Sequence, residues 1–195
     1  MLIHSEGATR EFDWLNPPDS FENREFLQIT TLPKTDLWQK THYGYVQDNA
    51  HCLLTRLERD FSLSVRTRFK YKQQYDQCGL IIRRDGENWI KLSTEFETES
   101  HSRLGSVVTS QGYSDWATLD IEAPVVEMWY RIQSKGPDFL LEYSSDGTTF
   151  RQLRICHLHG SASPLRAGIY ACSPMQGSFD ARFDELRLGD STWSH

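Results

Sequence analysis

The sequence lacks the features that mark a membrane protein or a secreted one. No apolar run reaches membrane-spanning length, and the first residues have neither the basic nor the apolar segment of a signal peptide. Cysteine is sparse: the four residues lie far apart and form no Cys-x-x-Cys pair. Reduced thiols in a cytoplasmic protein are therefore expected, with two disulfides as the alternative if the chain is exported.

Positive charge is also scarce, since 21 Lys and Arg residues face 27 Asp and Glu, for a net charge of −6. An acidic chain repels phosphate backbones, and the densest basic stretch, residues 66–70, alternates like a strand. The sequence also contains no Walker loop, dinucleotide fingerprint or Gly-x-Ser-x-Gly motif. We therefore expect no nucleic-acid partner, no membrane partner, no metal and no cofactor.

What the chain does contain is alternation of apolar and polar residues from beginning to end. Residues 61–70 are a clear case, and no window of a dozen residues keeps a helical period. Further strands are predicted near residues 25–31, 42–47, 51–57, 78–83, 89–97, 104–110, 125–134, 139–144, 150–157, 166–172 and 179–188. About a dozen strands separated by turn signals predict a single all-β sandwich domain over residues 1–195.

The stretch from Cys78 to Thr94 predicts a hairpin with a defined register. Pairing Ile82 with Ile90 puts even-numbered side chains on a buried face, and sets Arg83 opposite Trp89 on the other face. Slipping the register by one residue would bury several unpaired charges, at several kcal/mol each. The hairpin should therefore have one dry face and one chemically rich face.

Six ordered motifs resemble one known family. They are Trp38-Gln-Lys-Thr-His-Tyr-Gly-Tyr45, Tyr75-Asp-Gln-Cys-Gly-Leu-Ile-Ile-Arg83, Asn88-Trp-Ile-Lys91, Ser114-Asp-Trp116, Tyr143-Ser-Ser-Asp-Gly147 and Gly168-Ile-Tyr-Ala-Cys-Ser-Pro174. They resemble the domain of unknown function found in the fungal "regulation of enolase" proteins and bacterial relatives, over about residues 12–188. The resemblance implies a concanavalin A-like jelly roll with one concave and one convex sheet, and hints at a role in regulating metabolism.

The polar face of the hairpin is a candidate ligand groove, because sugars need flat rings to stack on and paired donors and acceptors. The strands predicted near residues 125–134 and 166–172 add aromatic and basic residues if they also line the concave sheet. The predicted ligand-binding residues are Gln77, Arg83, Trp89, Lys91, Glu95, Trp129, Arg131 and Tyr170. The alternative is a merely solvated face on which Arg83 lies over Trp89.

The groove end is predicted at His42, Tyr43, Tyr75 and Asp76, although Asp76 could instead accept bonds from backbone N–H groups of a loop. Glu95, Glu97 and Glu99 point to one side of a strand and are weak candidates for a glycosidase site. His157 and His159 could share a side of a strand end, but no third metal ligand is near in the sequence.

Three functions follow in order of preference. The first is a non-catalytic protein that binds a carbohydrate or sugar phosphate on its concave face. The second is a protein-interaction module with a regulatory role, which would use that face or an exposed strand edge. The third is a glycoside hydrolase that uses Glu95, Glu97 and Glu99.

Overall fold

A computed structural model describes residues 4–5, 10–57, 60–160 and 165–194, with side chains from residue 10 onward. The first strands are β1 (His4–Ser5), β2 (Asp13–Leu15), β3 (Ser20–Asn23), β4 (Leu27–Thr30), β5 (Leu37–Gln39), β6 (Val46–Asp48), β7 (His51–Leu57) and β8 (Ser62–Phe69). They are followed by β9 (Gln77–Asp85), β10 (Asn88–Phe96), β11 (His101–Ser110), β12 (Tyr113–Glu122), β13 (Glu127–Lys135), β14 (Asp138–Ser144), β15 (Arg151–His157), β16 (Leu165–Cys172) and β17 (Asp180–Gly189). The described ranges contain no helix, so none that could cross a membrane is found there.

The strands form two large sheets and one small hairpin. The first sheet has the order β15-β14-β13-β8-β17-β4-β3, with β1 beside β17. The second sheet has the order β12-β11-β10-β9-β16-β7-β2, and β5 pairs with β6 outside both sheets. The large sheets are antiparallel apart from the parallel pair of β1 and β17. The predicted all-β jelly-roll sandwich is therefore confirmed.

The main apolar core fills the space between the two sheets. Strands point alternate side chains to the same face, so each strand of the sandwich contributes every second residue. Leu63 and Tyr130 enter the core from the first sheet, and Leu80, Ile90 and Leu92 enter it from the second. All five are fully buried, and each buried aliphatic side chain of this size contributes about 1.5–3 kcal/mol.

The predicted register of the β9–β10 hairpin is confirmed. Ile82 pairs with Ile90, Arg83 with Trp89, and Gln77 with Glu95. The even-numbered apolar side chains of both strands belong to the core between the sheets. The odd-numbered side chains consequently lie on the outer face of the second sheet.

The chain itself covers part of that outer face. The β5–β6 hairpin packs there, and a second apolar cluster forms beneath it with Leu37, Trp38, Ile81, Trp89 and Tyr170 among its members. The strand predicted at residues 42–47 is largely a turn, because only Val46–Asp48 pairs. The edge strand β12 was not predicted, since most of its side chains are exposed and they show little apolar alternation.

Candidate ligand-binding site

A pocket of about 280 Å³ opens on the outer face of the second sheet, beside the β5–β6 hairpin. We call it the outer-face pocket. Its aromatic lining consists of Trp38, Tyr43, Tyr45, Tyr75 and Trp116. Its polar lining consists of Asp36, Gln77, Lys91, Ser93, Glu95, Arg103 and Ser106. Ligand pockets span roughly 300–1,000 Å³, so this one suits a small ligand.

Four of the five aromatic residues are in ring contact with one another and form a connected wall. The ring of Trp38 lies 5.5 Å from that of Tyr43 and 6.4 Å from that of Trp116, both with edge-to-face geometry. Tyr43 stacks on Tyr45 at 5.8 Å between ring centroids. Aromatic pairs in these arrangements stabilise one another by about 0.5–1.5 kcal/mol, so the wall is held in place before any ligand arrives.

A tight turn between β5 and β6 presents the two exposed tyrosines of this wall. Lys40, His42 and Gly44 all have left-handed backbones, with φ of 51°, 63° and 75°. Non-glycine residues rarely adopt this conformation, and such strain concentrates at functional sites. As a result, Tyr43 and Tyr45 remain 56% and 45% exposed.

The floor of the pocket carries few bulky side chains, because glycines flank Ser93 on both neighbouring strands. Ser93 on β10 has Gly79 on one side and Gly105 on the other. A Cβ added at Gly105 would lie 2.6 Å from the carbonyl oxygen of Ala117, and one added at Gly79 would collide with the backbone of Leu92. Close backbone approach therefore requires glycine here, and the floor has little bulk.

A chain of hydrogen bonds fixes the polar groups on this floor. The Tyr170 hydroxyl donates to Gln77 Oε1 at 3.0 Å and lies 2.7 Å from the Ser93 hydroxyl. Gln77 Nε2 donates to Glu95 Oε2 at 2.6 Å and to the Tyr75 carbonyl oxygen at 3.2 Å. Gln77 thus uses both amide protons within the protein, and the Glu95 carboxyl is held in one orientation.

Two ion pairs accompany this network, and Glu95 belongs to neither. Lys91 Nζ lies 3.5 Å from Asp36 Oδ1 and donates to the Leu37 carbonyl oxygen at 3.0 Å. Arg103 Nε lies 3.6 Å from Glu97 Oε2. Burial, reinforced by the charges of Asp36 and Glu97, raises the pKa of Glu95 from its ordinary value of 4.5 to about 8, although Lys91 and Arg103 oppose the rise.

The structure places only some of the predicted groove residues in this pocket. Gln77, Lys91 and Glu95 line it, together with Tyr43 and Tyr75 from the predicted groove end. These five residues share the outer face or the turn beside it.

The rest of the predicted hairpin site lies under the chain's own cover. Trp89 and Tyr170 are fully buried in the second apolar cluster. Arg83 donates two hydrogen bonds to Asp48 of β6, at 2.8 and 2.7 Å. The predicted role of Trp89 as an exposed stacking platform is therefore wrong, because the β5–β6 hairpin occupies the space above it.

Trp129 and Arg131 require a second correction. Both lie on β13, which belongs to the first sheet, and they line a separate hollow with Phe150 and Arg187. Arg131 is bound by Glu142 through bonds of 2.6 and 2.9 Å, and Arg66 lies over the Trp129 ring at 4.9 Å. The two sheets turn their outer faces in opposite directions, so these residues do not join the outer-face pocket.

Two residues of the predicted groove end also fall outside the pocket lining. Asp76 is fully buried and accepts bonds from the backbone N–H groups of Lys72 and Gln73 at 2.9 Å, as in the alternative stated for it. It also accepts a bond from the Ser173 hydroxyl at 2.7 Å. His42 packs edge-to-face on Tyr43 at 4.7 Å, on the side of the turn.

The three glutamates are not assembled into one site. Glu95 alone lines the pocket, Glu97 accepts a bond from Gln74 Nε2 at 3.1 Å beside Arg103, and Glu99 is exposed past the end of β10. His157 binds Asp138 at 2.7 Å and contacts His159, but within the described residues no group of three or more metal-binding side chains occurs.

Sequence reasoning missed several residues of the pocket: Asp36, Trp38, Tyr45, Arg103 and Trp116. A signal was present for Arg103, because it pairs with Glu95 in the next antiparallel strand and so shares its face. Trp38 and Trp116 occur in the quoted motifs, but no local pattern shows that their strands meet beside β10.

The fold and the pocket define a class: a jelly-roll sandwich of two sheets with an aromatic-lined hollow on the outer face of one of them. Residues 14–191 match the family described as Protein of unknown function (DUF1349). Regulation of enolase protein 1 of Saccharomyces cerevisiae is 32% identical over 176 residues, which cover 90% of this chain and 87% of that protein. This chain therefore belongs to the DUF1349 family.

Solved structures agree with this assignment. A functionally unknown protein from Saccharomyces cerevisiae superposes with a TM-score of 0.86 at 30% identity, over 94% of this chain and 97% of that chain. A GH43 protein from Bacillus licheniformis superposes with a TM-score of 0.71 at 16% identity, over 91% of this chain and 36% of that chain. The second likeness shows a shared fold with about a third of a longer protein.

Proposed function

We propose that this chain is a non-catalytic cytoplasmic protein that binds a small carbohydrate in the outer-face pocket. The observation that carries the proposal is the wall of five aromatic rings around a low polar floor. Sugar rings have apolar faces that pack on aromatic side chains, and hydroxyl groups that need both donors and acceptors. The Ser93 hydroxyl and the Glu95 carboxyl offer such groups, and Gln77, whose amide protons are both used within the protein, holds the Glu95 carboxyl in position.

The charges of the pocket favour an unphosphorylated sugar over a sugar phosphate. A phosphate group binds most tightly to cations that are free to donate to it. Lys91 and Arg103 each face a carboxylate, and Arg83 is bound by Asp48. We therefore keep carbohydrate as the ligand class and assign sugar phosphates a weaker affinity.

Catalysis is not part of the proposal. A glycosidase needs two carboxyl groups that flank the scissile bond, about 5–5.5 Å apart in retaining enzymes and about 6.5–9.5 Å apart in inverting ones. Of the three glutamates considered for that role, only Glu95 reaches the pocket. The pocket's other carboxylate, Asp36, is engaged by Lys91 and by the backbone N–H of Leu37.

A regulatory role completes the proposal. The name of the yeast relative refers to the regulation of enolase. In such a role, binding of the carbohydrate would change how tightly this chain binds a protein partner. Four free cysteines, of which three are buried, are consistent with the reducing conditions of the cytoplasm.

The test is a ligand screen with two independent measurements. Neutral mono- and disaccharides and their phosphates are added to the protein, and both tryptophan fluorescence and the melting temperature are recorded. A bound ligand at about 100 times its Kd stabilises the folded state by roughly 2.7 kcal/mol, which raises the melting temperature by several degrees. We expect this shift from at least one unphosphorylated sugar.

A matched pair of variants locates the site. Tyr43→Ala removes an exposed ring of the pocket, whereas Tyr113→Ala removes a ring of similar exposure outside the pocket lining. Only Tyr43→Ala should weaken binding, by about tenfold for a lost stacking contact. A screen without any shift would contradict carbohydrate binding and favour the interaction module. Hydrolysis of a chromogenic glycoside that Glu95→Gln abolishes would contradict the non-catalytic assignment.

A further inference from the structure

The carboxyl groups in and beside the outer-face pocket outnumber the cations there by one. Three carboxyl groups lie together there, on Asp36, Glu95 and Glu97, and two cations, Lys91 and Arg103, lie beside them. The cations are used in the pairs with Asp36 and Glu97. Within the described residues, Glu95 takes part in no ion pair, and its one hydrogen-bond partner is the neutral amide of Gln77.

We infer that the ligand of this pocket carries an amino group, and that its ammonium ion pairs with Glu95 inside the aromatic wall. This inference rests on the proposed carbohydrate-binding function and names amino sugars as the class of ligand. With Glu95 ionised the five groups sum to −1, and a ligand with one positive charge brings the sum to zero. A phosphorylated sugar would move it further from zero.

The aromatic wall would also bind the ammonium group of the ligand, through cation–π contacts. Ammonium ions bind over the faces of Trp and Tyr rings, and rings grouped around a small space are the usual receptor for such cations. Tyr43, Tyr45 and Tyr75 line the same pocket as Glu95, with Trp38 and Trp116 beside them. A neutral sugar would gain the stacking but not the attraction to the carboxylate.

The cations already present do not fill this role. Lys91 Nζ is held by the Leu37 carbonyl oxygen and by Asp36, and its side chain is only 6% exposed. Arg103 stacks on Trp116 at 5.3 Å and faces Glu97. Each is fixed by its own partners, and neither donates a hydrogen bond to Glu95 in the described structure.

The charged and titratable neighbours of Glu95 lie on several elements, and they include the fully buried Tyr170 and Cys172 of β16, whose pKa values burial raises so that both stay neutral. Lys91 shares β10 with it, Glu97 follows the same strand, and Arg103 lies on β11. Asp36 precedes β5, and the tyrosines line the wall. Burial raises the pKa of both Tyr45 and Tyr75, so these hydroxyls stay neutral near pH 7.

Release of a proton on binding is a second measurable consequence of the ion pair, in addition to the affinity. The pKa of Glu95 is raised to about 8, so near pH 6.5 its carboxyl is protonated in the free protein. An ammonium ion that pairs with it favours the carboxylate, and the proton leaves to the buffer. Binding should thus release close to one proton per ligand.

The experiment compares each neutral sugar with its amino counterpart: glucose with glucosamine, galactose with galactosamine, and mannose with mannosamine. Isothermal titration calorimetry at about pH 6.5, in two buffers of different ionisation enthalpy, gives the affinity and the number of protons released. We expect at least one amino sugar to bind about tenfold or more tightly than its neutral counterpart, with proton release. Glu95→Gln should reduce the preference to less than about threefold and abolish the release.

The control is Glu99→Gln, which removes an exposed carboxylate outside the pocket and should change neither quantity. Equal affinities for neutral and amino sugars would overturn the inference and leave carbohydrate binding in place. The same holds for an amine preference that survives Glu95→Gln. Failure of every sugar to bind would overturn the proposed function together with this inference. Melting temperatures of the variants verify that each one is folded.

Discussion

The outer face of the second sheet has two halves with the same alternation of residues. One half is covered by the β5–β6 hairpin, and the other lines the outer-face pocket. In the covered half, Trp89 and Tyr170 are fully buried beneath the β5–β6 hairpin, and Arg83 is bound by Asp48. In the pocket half, Gln77 and Glu95 occupy equivalent odd-numbered positions of the same strands and line a hollow. The difference is made by the β5–β6 hairpin, whose Asp48 lies 35 residues before Arg83 in the sequence.

This comparison shows that the parity of a strand decides which face a side chain joins, whereas its exposure depends on what packs over that face. Aromatic and charged residues on one face can therefore belong to a second core or to a binding site. In the covered half the charge of Arg83 is satisfied by the protein. In the pocket half, Glu95 forms no ion pair within the described part of the chain, and the ammonium group of the proposed ligand would supply the missing cation.

The largest effect is expected in the covered half. Trp89→Ala removes a fully buried ring from the second apolar cluster. Loss of a buried Trp side chain costs about 3–5 kcal/mol of unfolding free energy, which denaturant titration measures. A loss below about 1 kcal/mol would mean that the ring is not packed as a core residue.

The ion pair that ties the hairpin to the sheet should give the next largest effect. Arg83→Met breaks a bidentate contact in which the arginine side chain is 11% exposed. We expect a loss of about 2 kcal/mol, because the charge of Asp48 remains at the edge of a buried contact. The control is Arg187→Met, whose pair with Glu185 is far more exposed and should contribute less than about 0.5 kcal/mol. Equal losses in the two variants would contradict the anchoring role.

In the pocket half, Glu95 should make stability depend on pH. Its pKa is raised from 4.5 in the unfolded chain to about 8 in the folded protein, so the folded state keeps a proton that the unfolded state releases. The contribution of protonated Glu95 to the free energy of unfolding is therefore fully present below about pH 4.5 and is lost as the pH rises to about 8. The full shift would correspond to about 1.4 kcal/mol per pH unit. Because Glu95 is half-buried in an open pocket, solvent weakens the effect, and the advantage of Glu95→Gln over the unchanged protein should grow to about 1–2 kcal/mol across that window. A constant difference between the two proteins would show that Glu95 is ionised throughout.

The smallest effect on stability is expected at the rim. Tyr43 is 56% exposed, but its ring contacts those of Trp38 and Tyr45, so Tyr43→Ala should lower the free energy of unfolding by about 1 kcal/mol. The same substitution should weaken ligand binding, which separates the two halves: truncation in the covered half mainly costs stability, and truncation at the rim mainly costs affinity. A large loss of stability would place Tyr43 in the packed part of the molecule.

The sequence predicted the sandwich and the β9–β10 register because both follow from local alternation and from the cost of burying charges. It could not predict that Trp89 is covered, since this depends on a contact with a hairpin from another part of the chain. The grouping of Trp129 and Arg131 with the hairpin failed for a related reason. Alternation shows which side of its own strand a residue takes but not which sheet the strand joins.

The pocket itself was only partly predictable. Gln77, Lys91 and Glu95 follow from the hairpin register. Trp38 and Tyr45 depend on the geometry of a turn with three left-handed residues, of which only one is glycine. No rule of local sequence places non-glycine residues in that conformation, because they are held there by contacts with the rest of the fold.

The most direct test of the central claim, that the pocket half binds a ligand, is a two-dimensional NMR titration that follows the indole N–H signals of the six tryptophans. Addition of a carbohydrate that raises the melting temperature should shift the signals of Trp38 and Trp116, which line the outer-face pocket. The signals of Trp129, on the other sheet, and of Trp193 should not move. Shifts confined to Trp129 and Trp193, with Trp38 and Trp116 unchanged at saturation, would contradict the account.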